Sequence, residues 1–122
     1  MHYFKPGPVG AHYLEPVIEY PHQPELLAQS KFPRHGIGIC IIGGYVYRGK
    51  KYPSLDGIYI YGDFVLGTIF GFRYAGGEVT EYGTLLTQPK NITSFAEDAE
   101  GELYVLSFSE RKDGHVYAVE AK

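Results

Sequence analysis

The side chains able to do chemistry are few and scattered. Five histidines, His2, His12, His22, His35 and His115, are spaced without a second ligand at i+2 or i+4 of a regular element, so the spacing predicts no metal centre. The carboxylates best placed for chemistry are Asp63 and the adjacent pair Glu97 and Asp98, each beside turn residues. Paired carboxylates in loops can ligate calcium or divide acid and base roles. The same side chains also cap their own turns, and that plainer role competes at all three positions. Cys40 is the single cysteine, which excludes an internal disulfide. Flanked by Ile39, Ile41 and Ile42, it is expected to be a small buried hydrophobe and not a nucleophile. No Ser-His-Asp order, phosphate-binding glycine loop or CxxC pair is present, and the sequon Asn91-Ile92-Thr93 falls at an expected strand start.

The elements that must position these residues are short strands. Sixteen glycines, eight prolines, twelve tyrosines and seven phenylalanines, with one methionine and no tryptophan, predict an all-β class with tight turns. Strands are expected at 39–47, 57–61, 68–73, 78–85, 92–97, 103–108 and 115–119. Turn chemistry separates them, and starts spaced by roughly ten residues fit an antiparallel meander. Tyr45-Val46-Tyr47, Tyr59-Ile60-Tyr61, Tyr104-Val105-Leu106 and Val116-Tyr117-Ala118 alternate aromatic with aliphatic, the period of strands packed on both faces.

Repetition of a four-strand unit predicts about two four-stranded β-propeller blades, a complete one over 39–85 and one over 91–119 lacking its outer strand. Tyr45, Tyr59, Phe70 and Tyr104 are expected between the blades. Ahead of them, 1–16 is expected to be an irregular arm. Residues 17–20, bounded by Pro16 and Pro21, suit an edge strand, 24–29 a helical turn and 30–38 a loop.

A formal net charge of −3 with no long charge run excludes the basic face of a nucleic-acid binder. The densest basic patch, Arg48, Lys50 and Lys51, falls in a loop beside Pro53 and Gly57 and is expected to be solvated. No stretch approaches the roughly 18 apolar residues of a transmembrane helix, and no basic region precedes an apolar core at the N-terminus. A soluble chain without membrane association or export signal is therefore expected, its compartment left open.

The order Gly43-Gly44-Tyr45-Val46-Tyr47-Arg48-Gly49, then Pro53-Ser54-Leu55-Asp56-Gly57, then Tyr61-Gly62-Asp63-Phe64 with Gly67 and Ile69 resembles the glucose/sorbosone dehydrogenase-like family. That family includes the soluble pyrroloquinoline quinone glucose dehydrogenases and hedgehog-interacting-protein-like ectodomains. The resemblance resumes at Ile92-Thr93-Ser94-Phe95-Ala96-Glu97-Asp98 and ends near His115-Val116-Tyr117, covering about 15–119. It implies a six-bladed propeller with pyrroloquinoline quinone and calcium over the central channel, and a catalytic histidine from an early blade that this chain does not hold. It further implies that Asp63, Asn91, Thr93, Glu97 and Asp98 stand as binding residues at the channel mouth.

Where the quinone enzymes carry a Lys and two Arg against the anionic cofactor, this chain has Val65, Asn91 and Thr93. Where many relatives carry a pair of Cys it has Ile39 and Val65, which removes any bridge and with it the inference of an oxidising compartment, although relatives are mostly periplasmic or secreted. The resulting expectation is a non-enzymatic binding or assembly module without a cofactor or catalytic residue of its own. The alternative is a fragment of a quinone- and calcium-dependent aldose dehydrogenase completed by other blades. Two blades cannot close a ring, so a homo-oligomer is expected. A trimer would complete six blades, with 17–20 lent to a neighbour's last blade and a carbohydrate or protein as ligand.

Overall fold

The structure, a computed structural model, describes residues 14–87, 91–109 and 113–122. Most of the arm expected over 1–16 lies outside the described residues. Seven strands follow one another: β1 (Ile41–Val46), β2 (Ile58–Asp63), β3 (Ile69–Ala75), β4 (Glu78–Leu86), β5 (Ile92–Glu97), β6 (Leu103–Phe108) and β7 (Gly114–Ala118). All pairings are antiparallel, in a four-stranded sheet of order β1-β2-β3-β4 and a three-stranded sheet of order β5-β6-β7. This is the all-β meander of propeller-like blades that the periodicity predicts, and among the described residues the second blade has three strands. Among the described residues no helix is long and apolar enough to cross a membrane.

The sheets meet along β1 and β5, their first strands, as successive blades do around an axis. Between them Tyr47, Ile60, Ile69, Ile92, Phe95, Leu103 and Val105 form one buried cluster. Each such side chain contributes about 1.5–3 kcal/mol on burial, so this cluster is the main tie between the blades.

The expectation for the interblade aromatics needs correction. Phe70 is buried, but on the face of the first sheet turned away from the second, against Tyr20 and His35; Tyr59 and Tyr104 are half-buried and Tyr45 is 39% exposed. Tyr45 and Tyr47 both follow the β-bulge between Ile42 and Tyr45 and share one face of the strand, and it is Tyr47, just past the end of β1, that enters the interblade cluster. Gly44 sits in that bulge because nothing larger fits: a Cβ there would lie 1.7 Å from the Ile60 carbonyl oxygen. The close approach is to the neighbouring strand, β2.

Two further expectations fail. Residues 17–20 form no strand. Tyr20 instead lays its ring on His35 at 4.4 Å between centroids, so the segment packs on its own chain. Cys40 is exposed, not buried, because it lies just before β1 among side chains that also face solvent, Ile39 and Ile41. The helical turn expected at 24–29 is a 3-10 turn, Pro24–Gln29, and a second, Pro33–His35, interrupts the expected loop.

Candidate functional site

The meander separates the candidate residues. Asp63 ends β2 and Asn91 precedes β5, and the two places touch where the Asn91 amide donates to the Phe64 carbonyl at 3.1 Å. Glu97 ends β5 and Asp98 follows it, so this pair stands at the opposite end of the strand from Asn91 and Thr93. The structure therefore brings Asp63 and Asn91 together and holds Glu97 and Asp98 apart from them. The physical reason is strand length: a six-residue strand spans about 20 Å.

Asp63 is fully buried and its carboxylate is surrounded by main chain. Oδ2 accepts the Ile39 and Cys40 amides at 2.5 and 2.8 Å, and Oδ1 accepts the Val65 and Leu66 amides at 3.0 and 2.9 Å. One side chain thus fixes both the entry to β1 and the β2–β3 turn. Charge-assisted bonds to backbone amides are among the stronger hydrogen bonds, and four of them offset the cost of burying this anion.

Asn91 takes a left-handed backbone, φ 56°, and its Nδ2 donates to the Phe108 carbonyl at 3.1 Å. Thr93 is exposed, with Oγ1 donating to the Leu106 carbonyl at 3.1 Å. Val65, in the turn after Asp63, is exposed. No cationic side chain occupies these three positions.

At the other end Asp98 shapes the β5–β6 turn. Its Oδ1 accepts the Glu100 and Glu102 amides at 3.0 and 2.9 Å, and Oδ2 accepts the Tyr104 hydroxyl at 3.0 Å. The Glu102 amide, followed by the Tyr104 hydroxyl, holds the Asp98 carboxyl below the usual carboxylate range. Glu97 is exposed.

Two buried groups were not legible as a site in the sequence. Glu102 accepts the Tyr47 hydroxyl on Oε2 at 2.6 Å and the Lys50 and Lys51 amides on Oε1 at 3.1 Å each, joining the two blades. Its carboxyl is held below the usual range, first by the Tyr47 hydroxyl. The only local signal was a glutamate beside the turn glycine Gly101. His35 is 1% exposed, with Nε2 hydrogen-bonded to the Tyr61 hydroxyl and Nδ1 3.4 Å from the Gly36 carbonyl. Burial lowers its pKa and the Gly36 carbonyl partly opposes that.

Among the described residues no group of three His, Cys, Asp or Glu side chains is arranged to hold a metal ion. A surface depression of about 310 Å³ lies along β3 and β4 between Ile58, Gly71, Arg73, Glu81 and Leu85, away from all the candidate residues.

No family model matches the chain. A solved structure of a glucose dehydrogenase superposes on it with a TM-score of 0.60 and 22% sequence identity, covering 71% of this chain and 25% of that one. The chain spans about a quarter of the length of that protein. At this identity the likeness is one of fold, and the fold of this chain is glucose dehydrogenase-like: antiparallel β-propeller blades.

Proposed function

We propose that this chain is a non-enzymatic β-propeller module whose role is to bind or assemble with another polypeptide. The observation that carries the reading is the Asp63 carboxylate. It is the most buried of the candidate residues, and both its oxygens are used by four amides of its own backbone. A carboxylate so engaged holds a turn and cannot also receive a substrate proton or a cation.

The quinone implied by family resemblance does not fit the residues present. A tricarboxylate needs cationic partners in a water-poor site. Its positions hold Val65, Asn91 and Thr93, and the polar donors of the latter two already serve the Phe108 and Leu106 carbonyls. Titrating the purified chain with pyrroloquinoline quinone and calcium, then assaying dye-linked glucose oxidation, is expected to give no turnover. Measurable turnover by the isolated chain would overturn the proposal.

Assembly is supported by what the sheets leave open. Among the described residues no fourth strand pairs with β7, all residues of β7 are exposed, and Val116 is 67% exposed. Unprotected edges of this kind recruit a further strand. A ring of identical copies, three for six blades, is the simplest completion, and light scattering at low micromolar concentration tests it against a monomer mass of 13.7 kDa.

A second reading, a piece of a sugar dehydrogenase completed by other blades, is favoured by the glucose dehydrogenase likeness covering only a quarter of that protein. Joining the chain to the earlier blades of such a propeller and assaying glucose oxidation distinguishes it from the first.

A further inference from the structure

We infer that residues 20–38 form a removable cap over the second face of the first sheet, latched by His35, and that protonation of His35 opens it. On β2 the side chains alternate. Ile60 joins the core toward the second sheet, and a Cβ on Gly62 would lie 3.0 Å from Ile92 Cδ1, so that face carries the blade-to-blade contact. Tyr59 and Tyr61 point the other way, opposite Phe72 and Phe70 of β3. In a stack of blades this second face would receive another sheet. Here it receives the cap.

The latch is a single histidine. His35 lies between Tyr20 and Phe70, with ring centroids 4.4 and 4.1 Å away and interplanar angles of 11° and 24°. Its Nε2 meets the Tyr61 hydroxyl of β2. Around it the attachment is thin. Phe32 meets Tyr82 of β4 edge-on at 5.2 Å and Arg34 lies over the same ring at 5.2 Å, while the Gly38 amide donates to the Pro21 carbonyl at 3.2 Å, a bond that closes the cap on itself and depends on its folded shape. Within the cap only His35 and Gly38 are fully buried, and the 3-10 turn Pro24–Gln29 buries nothing. The Tyr20 hydroxyl is buried without a hydrogen-bond partner, a cost that release of the cap would relieve. Segments with few buried contacts open at the low end of the stability range.

The groups facing His35 are the Tyr20 phenol from the cap and the Tyr61 phenol from β2, with Phe70 from β3. Farther along β2, Asp63 lies close to the Tyr20 ring but is committed to four amides, and the Arg34 guanidinium is over Tyr82 of β4. Among the described residues no carboxylate hydrogen-bonds the imidazole, so burial disfavours its cation. The sign follows: a base with a depressed pKa in the closed state stabilises that state above its free pKa, about 6.5, and loses the contribution as pH falls below it.

Hydrogen exchange on the full chain, corrected for intrinsic rates, tests this. Between about pH 7.5 and about pH 5 the Gly38 amide is expected to lose protection about tenfold while the β2–β3 ladder amides keep theirs. His35→Phe, which keeps the stack and cannot titrate, is expected to abolish that pH dependence. Should this variant not fold, His35→Gln replaces it. Equal Gly38 protection at the two pH values in the natural chain, or an undiminished loss in the variant, overturns the inference. Neither outcome bears on quinone turnover, so failure here is distinct from failure of the proposed function.

Discussion

The Tyr47 hydroxyl donates to Glu102 Oε2 at 2.6 Å, and through this bond the end of the first blade's inner strand is tied to the β5–β6 turn of the second. Both residues are buried. Removing the hydroxyl with Tyr47→Phe leaves a buried acceptor short of a donor and is expected to cost about 1–3 kcal/mol. The midpoint of urea unfolding reads this directly, and an unshifted midpoint would remove the tie from any account of stability.

The same contact sets an acid limit. Glu102, held low first by the Tyr47 hydroxyl, and Asp98, held low first by the Glu102 amide, both have folded-state pKa values below their ordinary ones. Their contribution is therefore complete above the unfolded carboxylate value, about 4, and is lost as pH falls from there through the folded values. Melting temperatures taken from about pH 5 down to about pH 3 should fall more shallowly in Glu102→Gln than in the natural chain. Parallel curves would contradict the assignment.

Asp63→Asn keeps the shape but puts an amide group where two backbone N–H groups point, and N–H cannot accept N–H. The expected cost is about 2–4 kcal/mol, above that of an ordinary hydrogen bond because the lost partner is charged and buried. Guanidinium denaturation measures it. A cost under about 1 kcal/mol would mean that the site tolerates a neutral group and that Asp63 is free for another role.

Glycine substitutions separate the bulge from the open strand. Gly44→Ala would drive a methyl group into the Ile60 carbonyl, where the nearest atoms are backbone of β2 and no flexible side chain can yield. Destabilisation of about 3 kcal/mol or more is expected. Gly83→Ala on β4 meets nothing within 4 Å and should stabilise by about 0.5–1 kcal/mol. Thermal melts of the two variants would reverse in order if the bulge lay elsewhere.

Phe95→Ala opens the interblade cluster and should cost about 3–5 kcal/mol, whereas Tyr45→Ala, at 39% exposure, should cost under about 1 kcal/mol. Tyr104→Ala falls between them, since the half-buried ring also carries the hydroxyl that meets Asp98. Comparable losses from Phe95 and Tyr45 would restore Tyr45 to the core.

Much of this architecture follows from sequence alone because its causes are local. Period-2 alternation in Tyr59-Ile60-Tyr61 and Tyr104-Val105-Leu106 needs only neighbouring residues to mark a strand, and Gly101 takes the φ of 81° that its turn requires whatever surrounds it. Asp98 likewise caps its own turn within four residues. Interactions that cross between strands were not legible. The bulge before Tyr45 is set by pairing with β2, where Tyr45 meets Ile60 and Val46 meets Tyr59, and alternation in β1 by itself cannot show a register shift. Glu102 finds Tyr47 55 residues away, and Asp63 spends its oxygens on amides more than twenty residues apart in the chain. His35 is one of five histidines to a reader of the sequence. Only the folding back of 20–38 places it between Tyr20 and Phe70 and buries it, because burial and stacking are properties of the surfaces brought together and not of the residue.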